Sequence, residues 1–171
     1  RFAHARVRVE VVALAEAVGA RAAGATLAAR LAAPDLVHVL VVSDGVQLNG
    51  SALIAGIVAA LPSSVTVSGG LAADGTRMTT TAVLTASGAG PGRVAAVGLY
   101  GARLQVGCGS QGGWDPFGPE RVITRSDGNV VYELDEQPAL ELYQRYLGPH
   151  AAALPSSGLL FPLAVRAPDG G

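Results

Sequence analysis

The chain has 171 residues, of which 50% are hydrophobic and 15% charged, with a net charge of −1. One domain of this length can bury about 70% of the surface it exposes when unfolded, so the composition excludes a disordered chain. The charges are interspersed without a basic or acidic run, which argues against a nucleic-acid surface or a polybasic membrane patch.

All twelve basic residues are Arg, and Ala, Gly and Val dominate over the few aromatics. We read this as coding bias, with a small-residue core filled by close backbone approach. Cys108 is the single cysteine, so no intramolecular disulfide can form, and the chain is expected in the cytoplasm. No apolar run is long enough for a membrane span, and no signal peptide is visible. Because the chain opens without an initiator Met, it is read as a piece of a longer protein or as trimmed at its start.

In chain order, Phe2 to Leu14 alternates apolar residues with Arg6, Arg8 and Glu10, the period of a half-exposed strand. Glu16 to Ala33 is Ala-rich with Val18, Leu27 and Leu31 at helical spacing. Gly19 and Gly24 lower its helix propensity and are expected where it packs tightly on the sheet. Leu36–Ser43 (LVHVLVVS) is apolar on both faces, the pattern of a central strand covered by helices on each side. Asp44-Gly45 breaks it. Asn49 is a good N-cap for a helix from about Gly50 to Leu61, with Leu53, Ile54, Ile57, Val58 and Leu61 on one face, and Pro62 ends it. Val65–Ser68 reads as a second short strand and Gly69-Gly70 as the break after it.

Met78–Ala86, Arg93–Tyr100, Arg103–Gly109, Arg121–Ser126 and Val130–Leu134 are then strand-like, joined by turns that imply antiparallel neighbours. Asp127-Gly128 is a strong hairpin signal. Pro138–Leu147 reads as a helix with Leu140, Tyr143 and Leu147 on one face. The segment around LLFPLAV looks like a strand or linker. The expected fold is a layered α/β sandwich with a mixed sheet: βαβαβ in the first half, an antiparallel meander in the second, then a C-terminal helix. Residues 1–165 are taken as the domain and 166–171 as linker or tail.

Several motifs in order carry a family resemblance: LVVSDGVQLNGSALIAG, SGGLAADGT, YGARLQVGCGSQGGWDPFG and VITRSDGNVVYELDEQPALELYQRYLG. Over roughly Leu36 to Val165 the chain resembles the N-terminal half of FIST domains, sensory domains of bacterial, archaeal and eukaryotic signalling proteins. The resemblance implies a module that binds a small molecule, an amino acid being the usual proposal, with a C-terminal FIST half as partner. It implies no catalytic residues and no cofactor.

For the residues themselves, Gly107–Gly112 matches the GxGxxG pattern, but the Pro-rich loop after it cannot open the helix that would hold a pyrophosphate. Ser43, Asp44, Gly45 and Asn49 form the best candidate site: Asp44 to receive an ammonium group, the helix amides to receive a carboxylate. The alternative is that Asp44 forms an Asx-turn and Asn49 merely caps the helix. Gly69, Gly70, Asp74 and Gly75 make a second loop beside it, where paired glycines serve either a ligand or a tight turn. Trp114 is read as a pocket wall or a core plug. Arg125 is read as a carboxylate partner or a surface pair with Asp127 or Asp135. His4, His38 and His150 share no metal spacing, and His38 is expected to be a hydrogen-bonded structural residue.

Sensing of a small ligand without catalysis is therefore the leading reading. An interaction module would instead expose an apolar strand, or a patch of several hundred Å². A hydrolase or transferase using Cys108 or a loop Ser with Asp44 would need a base within hydrogen-bonding reach. A homo-oligomer is compatible with each reading.

Overall fold

The computed structural model describes residues 4–109 and 111–166; Phe2, Ser110 and residues 167–171 of the expected tail lie outside the described residues. The fold is mixed α/β, and the chain divides into two compact units, Arg1–Ser110 and Gln111–Gly171.

The first unit is built on a four-stranded sheet in the order β1-β6-β2-β3. Its strands are β1 (Arg6–Ala13), β2 (Leu36–Ser43), β3 (Thr66–Leu71) and β6 (Arg93–Tyr100), with a two-stranded hairpin of β4 (Val83–Thr85) and β5 (Gly88–Gly90) before β6. β2 and β3 run parallel, joined by helix α2 (Gly50–Ala60), while β6 is antiparallel to both β1 and β2. Helix α1 (Ala20–Leu31) packs beside α2 on one face of the sheet. The core lies between them and includes Leu27, Leu31, Val39, Leu53, Ile57, Val94 and Tyr100. The Tyr100 hydroxyl donates 2.7 Å to the Leu31 carbonyl, satisfying the one polar atom that this ring buries.

Close approach replaces bulk, as the composition implies. A Cβ on Gly24 would lie 2.2 Å from the Leu53 carbonyl oxygen, and one on Gly56 2.1 Å from that of Arg21. The two helices thus touch backbone to backbone. The buried face of α2 is accordingly Leu53, Gly56 and Ile57, whereas the expected Ile54 and Val58 are exposed. α1 starts at Ala20, not near Glu16, because Gly19 at φ +90° lies outside helical space, and Val18 faces solvent.

Three further expectations are corrected. β2 carries helices on one face only: Leu40 and Val42 on the other face stay 40–41% exposed. Arg103–Gly109 forms no strand, since β6 already has β1 and β2 on its two edges and offers the next segment no edge to pair with. Within Met78–Ala86 only Val83–Thr85 is a strand, because the amides of Met78, Thr79 and Thr80 turn inward to the Asp74 carboxylate.

The second unit is an antiparallel meander of β7 (Ile123–Asp127), β8 (Val130–Leu134) and β9 (Gln137–Pro138), followed by helix α3 (Ala139–Leu147). Asp127 pairs with Val130 across a two-residue turn in which Gly128 takes φ +55°. α3 buries Ala139, Leu142 and Leu147, while Leu140 points to solvent and the Tyr143 hydroxyl donates to the Phe161 carbonyl. The LLFPLAV segment is neither a strand nor part of a sheet; it begins in a short 3-10 turn, Ser156–Leu159, and continues irregular.

Candidate functional site

The parallel β2–α2–β3 crossover brings two polar loops side by side at the carboxyl edge of the sheet, where open α/β sheets place their ligands. Ser43 is in register with Leu71, and the Ala72 amide donates 2.8 Å to the Ser43 carbonyl, carrying the parallel pairing to the mouth of both loops. Gly45 is seated so close that a Cβ would lie 2.0 Å from the Ala72 carbonyl oxygen.

Asp44 organises the first loop. Its carboxylate is 0% exposed. Oδ1 accepts the amides of Val46 and Gln47, both at 2.8 Å, and Oδ2 accepts that of Gly92 at 2.9 Å. Burial by itself raises the carboxyl pKa, but the amides of Gln47, Gly92 and Val46 and the Thr81 hydroxyl outweigh it and hold the group below its usual range. Thr81 also accepts the Gly45 amide at 3.0 Å. The arrangement is an Asx-turn tied to a distant strand, and it leaves no open face on the carboxylate for an ammonium group. Ser43 is likewise turned inward, its hydroxyl donating 3.1 Å to the Asp44 carbonyl rather than to a base.

Asp74 does the same for the second loop. Oδ1 accepts the Met78 amide at 2.9 Å, and Oδ2 accepts the amides of Thr79 and Thr80 at 3.0 and 3.1 Å. The Thr79 and Thr80 amides hold its carboxyl down at about 2. Asn49 caps α2, its Oδ1 accepting the Ala52 amide at 3.0 Å. The first turn of α2 therefore opens at the same edge as the two loops, with its partial positive charge.

Gly69 and Gly70 are corrected from loop to strand: both belong to β3 and neither has positive φ. Gly69 is required by contact, since a Cβ there would lie 2.0 Å from the Val41 carbonyl oxygen, whereas one on Gly70 would meet nothing within 4 Å. Gly75, at φ +72°, is the glycine whose conformation the second loop demands.

Trp114 and Arg125 belong to the second unit. Trp114 is 63% exposed in an irregular stretch, so it plugs no core. Arg125 pairs neither with Asp127 nor with Asp135. Its Nε donates 2.8 Å to Glu133 across the hairpin, and its guanidinium lies 4.7 Å from the Tyr132 ring centre. Asp135 instead accepts from the Val122 amide and from Arg121, and these two hold its carboxyl below the usual range.

His38 is the hydrogen-bonded residue its position suggests, with Nδ1 2.7 Å from the Thr66 hydroxyl and Nε2 2.9 Å from that of Ser68. Burial lowers its pKa. No carboxylate orients the ring, so Ser68 meets a base without the third group that activates a nucleophile. Among the described residues no three His, Cys, Asp or Glu side chains come together as a metal requires, and no helix is long and apolar enough to cross a membrane.

With the two loops in place the comparisons are informative. The family model described as FIST N domain matches residues 1–137, from the first strand to the start of β9. The chain belongs to the FIST family. FIST domains are sensory domains of signal-transduction proteins. No curated protein and no solved structure matches the chain.

Thr81 and Gly92 are residues of the candidate site that sequence reasoning missed. The run Thr79-Thr80-Thr81 was the available signal: three small hydroxyl residues shortly after an Asp-Gly pair are natural partners for a carboxylate-centred turn. Gly92 carried no such signal, because its amide meets Asp44 only through the tertiary fold.

Proposed function

We propose that this FIST domain binds a small polar molecule of the amino-acid class at the carboxyl edge of β2 and β3, without catalysis, as the sensing part of a cytoplasmic signalling protein. The observation that carries the reading is the crossover itself, which joins the two polar loops and the α2 N-terminus at one edge. Backbone groups of the loops and the first turn of α2 would receive the ligand's carboxylate. Asp44 and Asp74 serve by holding those loops in shape before the ligand arrives, so little ordering is left to oppose binding. The C-terminal FIST half is the partner to which the signal passes. Binding acts on that partner only as far as ligand affinity differs between the two states.

The test is thermal unfolding of the 171-residue chain against a panel of amino acids and small carboxylic acids. A ligand at a hundred times its dissociation constant adds about 2.7 kcal/mol, which for a chain of this size raises the midpoint by roughly 5–10 °C. Ser51→Glu, on the exposed first turn of α2, is expected to leave the unliganded midpoint unchanged or slightly higher while abolishing the shift. A flat response across the panel overturns the reading.

A further inference from the structure

The four-stranded sheet has two outer strands, β1 and β3, and only one of them is guarded. The Leu14 amide donates to Gly92, so the even-numbered residues of β1 bond towards β6 and the odd-numbered ones turn their backbone outward. Arg6, Arg8 and Glu10 line this strand, and the Arg30 guanidinium donates 3.0 Å to the outward Val11 carbonyl. Such devices keep an edge from pairing with another chain. β3 has none of them. The Ala72 amide donates to Ser43, so Thr66, Ser68 and Gly70 bond towards β2, while Val67, Gly69 and Leu71 turn their N–H and C=O groups outward. Among the described residues none of these outward groups has a hydrogen-bond partner.

The helix above this edge is equally bare of charge. From Gly45 to Ala73 the chain contains no Arg, Asp, Glu or His, although a surface helix such as α2 ordinarily turns charge to water. Gly50, Ile54 and Val58 follow one another along one stripe of α2, and Gly56, on the opposite side, meets α1. A Cβ on Gly50 would lie 3.3 Å from the Leu71 side chain, which sets the stripe above β3. Ile54, Val58 and Leu71 are 38–54% exposed. Strand edge and helix stripe thus form one uncharged surface.

Self-complementarity selects its occupant. Antiparallel pairing of two β3 strands about a two-fold axis through Gly69 gives every outward N–H and C=O group a partner. It sets Val67 opposite Leu71 of the second copy, an apolar cross-strand pair on the helix side. At the axis itself glycine faces glycine. α2 runs antiparallel to β3, and its rise of about 6 Å from Gly50 to Ile54 matches about two strand residues, from Leu71 to Gly69. Ile54 therefore stands over the axis and faces its own equivalent. With each α2 lying over β2 and β3, the two helices are separated by about two strand spacings, roughly 10 Å, an ordinary packing distance. Neither copy brings a charge to the contact, so none is buried unpaired.

We propose that β3 and α2 form a dimerisation surface that joins the sheets of two copies of this chain into one continuous sheet. A six-residue strand and an eleven-residue helix make a small footprint, so the dimer is reversible and concentration-dependent.

Sedimentation velocity over a dilution series of the 171-residue chain, with hydrogen exchange on the same samples, tests this. The expected result is a monomer–dimer equilibrium. As the dimer forms, exchange slows at the amides of Val67, Gly69 and Leu71, while those of Ser68 and Gly70, already bonded to β2, do not change. Ile54→Lys and Ile54→Glu, with circular dichroism and melting of dilute samples unchanged, each weaken the dimer by about tenfold or more through like charges at the axis. An equal mixture of the two variants recovers it. A monomer at every concentration up to about 1 mM overturns the proposal and leaves the edge to a strand of another protein. So does a dimer that Ile54→Lys leaves intact, a mixture that recovers nothing, or exchange at the three outward amides that ignores dimer formation.

Discussion

The Asp44 carboxylate and the Gly92 amide are 48 residues apart in the chain and 2.9 Å apart in space. One buried side chain thus shapes the loop after β2 and fastens it to the turn before β6. Asp44→Ala would leave three part-buried amides without their acceptor, each costing up to about 1–3 kcal/mol, the cost of a fully buried unsatisfied donor. Because single substitutions above about 5 kcal/mol are exceptional, a loss of about 3–5 kcal/mol in urea unfolding is expected. Asp44→Asn keeps an acceptor for Val46 and Gln47 but turns an NH2 towards Gly92, and should cost about half as much. A loss below about 1 kcal/mol for Asp44→Ala would show that the loop does not depend on this carboxylate.

Stability should fall with acid in two steps. His38 has a folded pKa below its ordinary 6.5, so below pH 6.5 the unfolded chain takes up a proton that the folded one resists, and stability declines as pH falls. Asp74, at about 2 against an ordinary 3.8, and Asp44, also lowered, bind protons more readily when unfolded. Their contribution is complete above about pH 4 and is lost as pH falls towards 2. Urea midpoints from pH 8 to pH 2 check both steps: His38→Gln should flatten the upper one and Asp74→Asn part of the lower one.

What the sequence made legible was local. The strand at Leu36–Ser43, the Asn49 cap and the Asp127-Gly128 hairpin each follow from a few adjacent residues whose backbone preferences agree, and each stands where expected. The two loops at the carboxyl edge were legible for the same reason. Hidden were the consequences of pairing at a distance. That β6 would insert between β1 and β2 could not be read from its own residues, and that insertion is what denies Arg103–Gly109 a neighbour. The role of Asp44 was legible only as an alternative, since an Asx-turn and a ligand site use the same side chain, and the deciding Gly92 amide arrives from far along the chain.

Gly24 and Gly56 make opposite demands on propensity and packing. Replacing either with Ala improves helix propensity by about 1 kcal/mol. The added methyl, however, would sit little more than 2 Å from a backbone carbonyl oxygen of the facing helix. Backbone cannot rotate away as a side chain can, and forced overpacking costs about 1–3 kcal/mol or more. A net loss of about 1–2 kcal/mol is expected for each substitution. The pair should be less than additive, because a single outward shift of α2 relieves both contacts. Urea unfolding of both single variants and the double variant measures this, and full additivity would mean the two contacts relax independently.

The Arg125–Glu133 pair spans the β7–β8 hairpin at 2.8 Å with both side chains partly in water. Exposed pairs of this kind contribute about 0.2–1 kcal/mol, because water screens the attraction and ordering two long side chains opposes it. Arg125→Ala and Glu133→Ala are each expected to lower stability by less than about 1 kcal/mol, and a double-mutant cycle in 0.5 M salt should bring their coupling close to zero. A coupling above about 1.5 kcal/mol that survives salt would mean that the pair is shielded from solvent.

Gly69 and Gly70 separate contact from conformation as the reason for a glycine. Both lie in β3 and neither has positive φ, so neither is held there by that conformation. At Gly70 a methyl meets nothing within 4 Å, and Ala there restricts the unfolded chain more than the folded one, which raises stability by about 0.4–1 kcal/mol. At Gly69 the same methyl would sit 2.0 Å from the Val41 carbonyl oxygen of the neighbouring strand, and β3 would have to move away from β2. Gly69→Ala is therefore expected to cost about 2–3 kcal/mol and, by displacing Leu71 and Ala72, to loosen the mouth of the second loop. Amide exchange at Ala72, whose hydrogen bond to Ser43 continues the β2–β3 pairing, reads this directly: faster in Gly69→Ala and unchanged in Gly70→Ala. Equal behaviour of the two variants would return both glycines to the loop role that their pairing in the sequence first suggests.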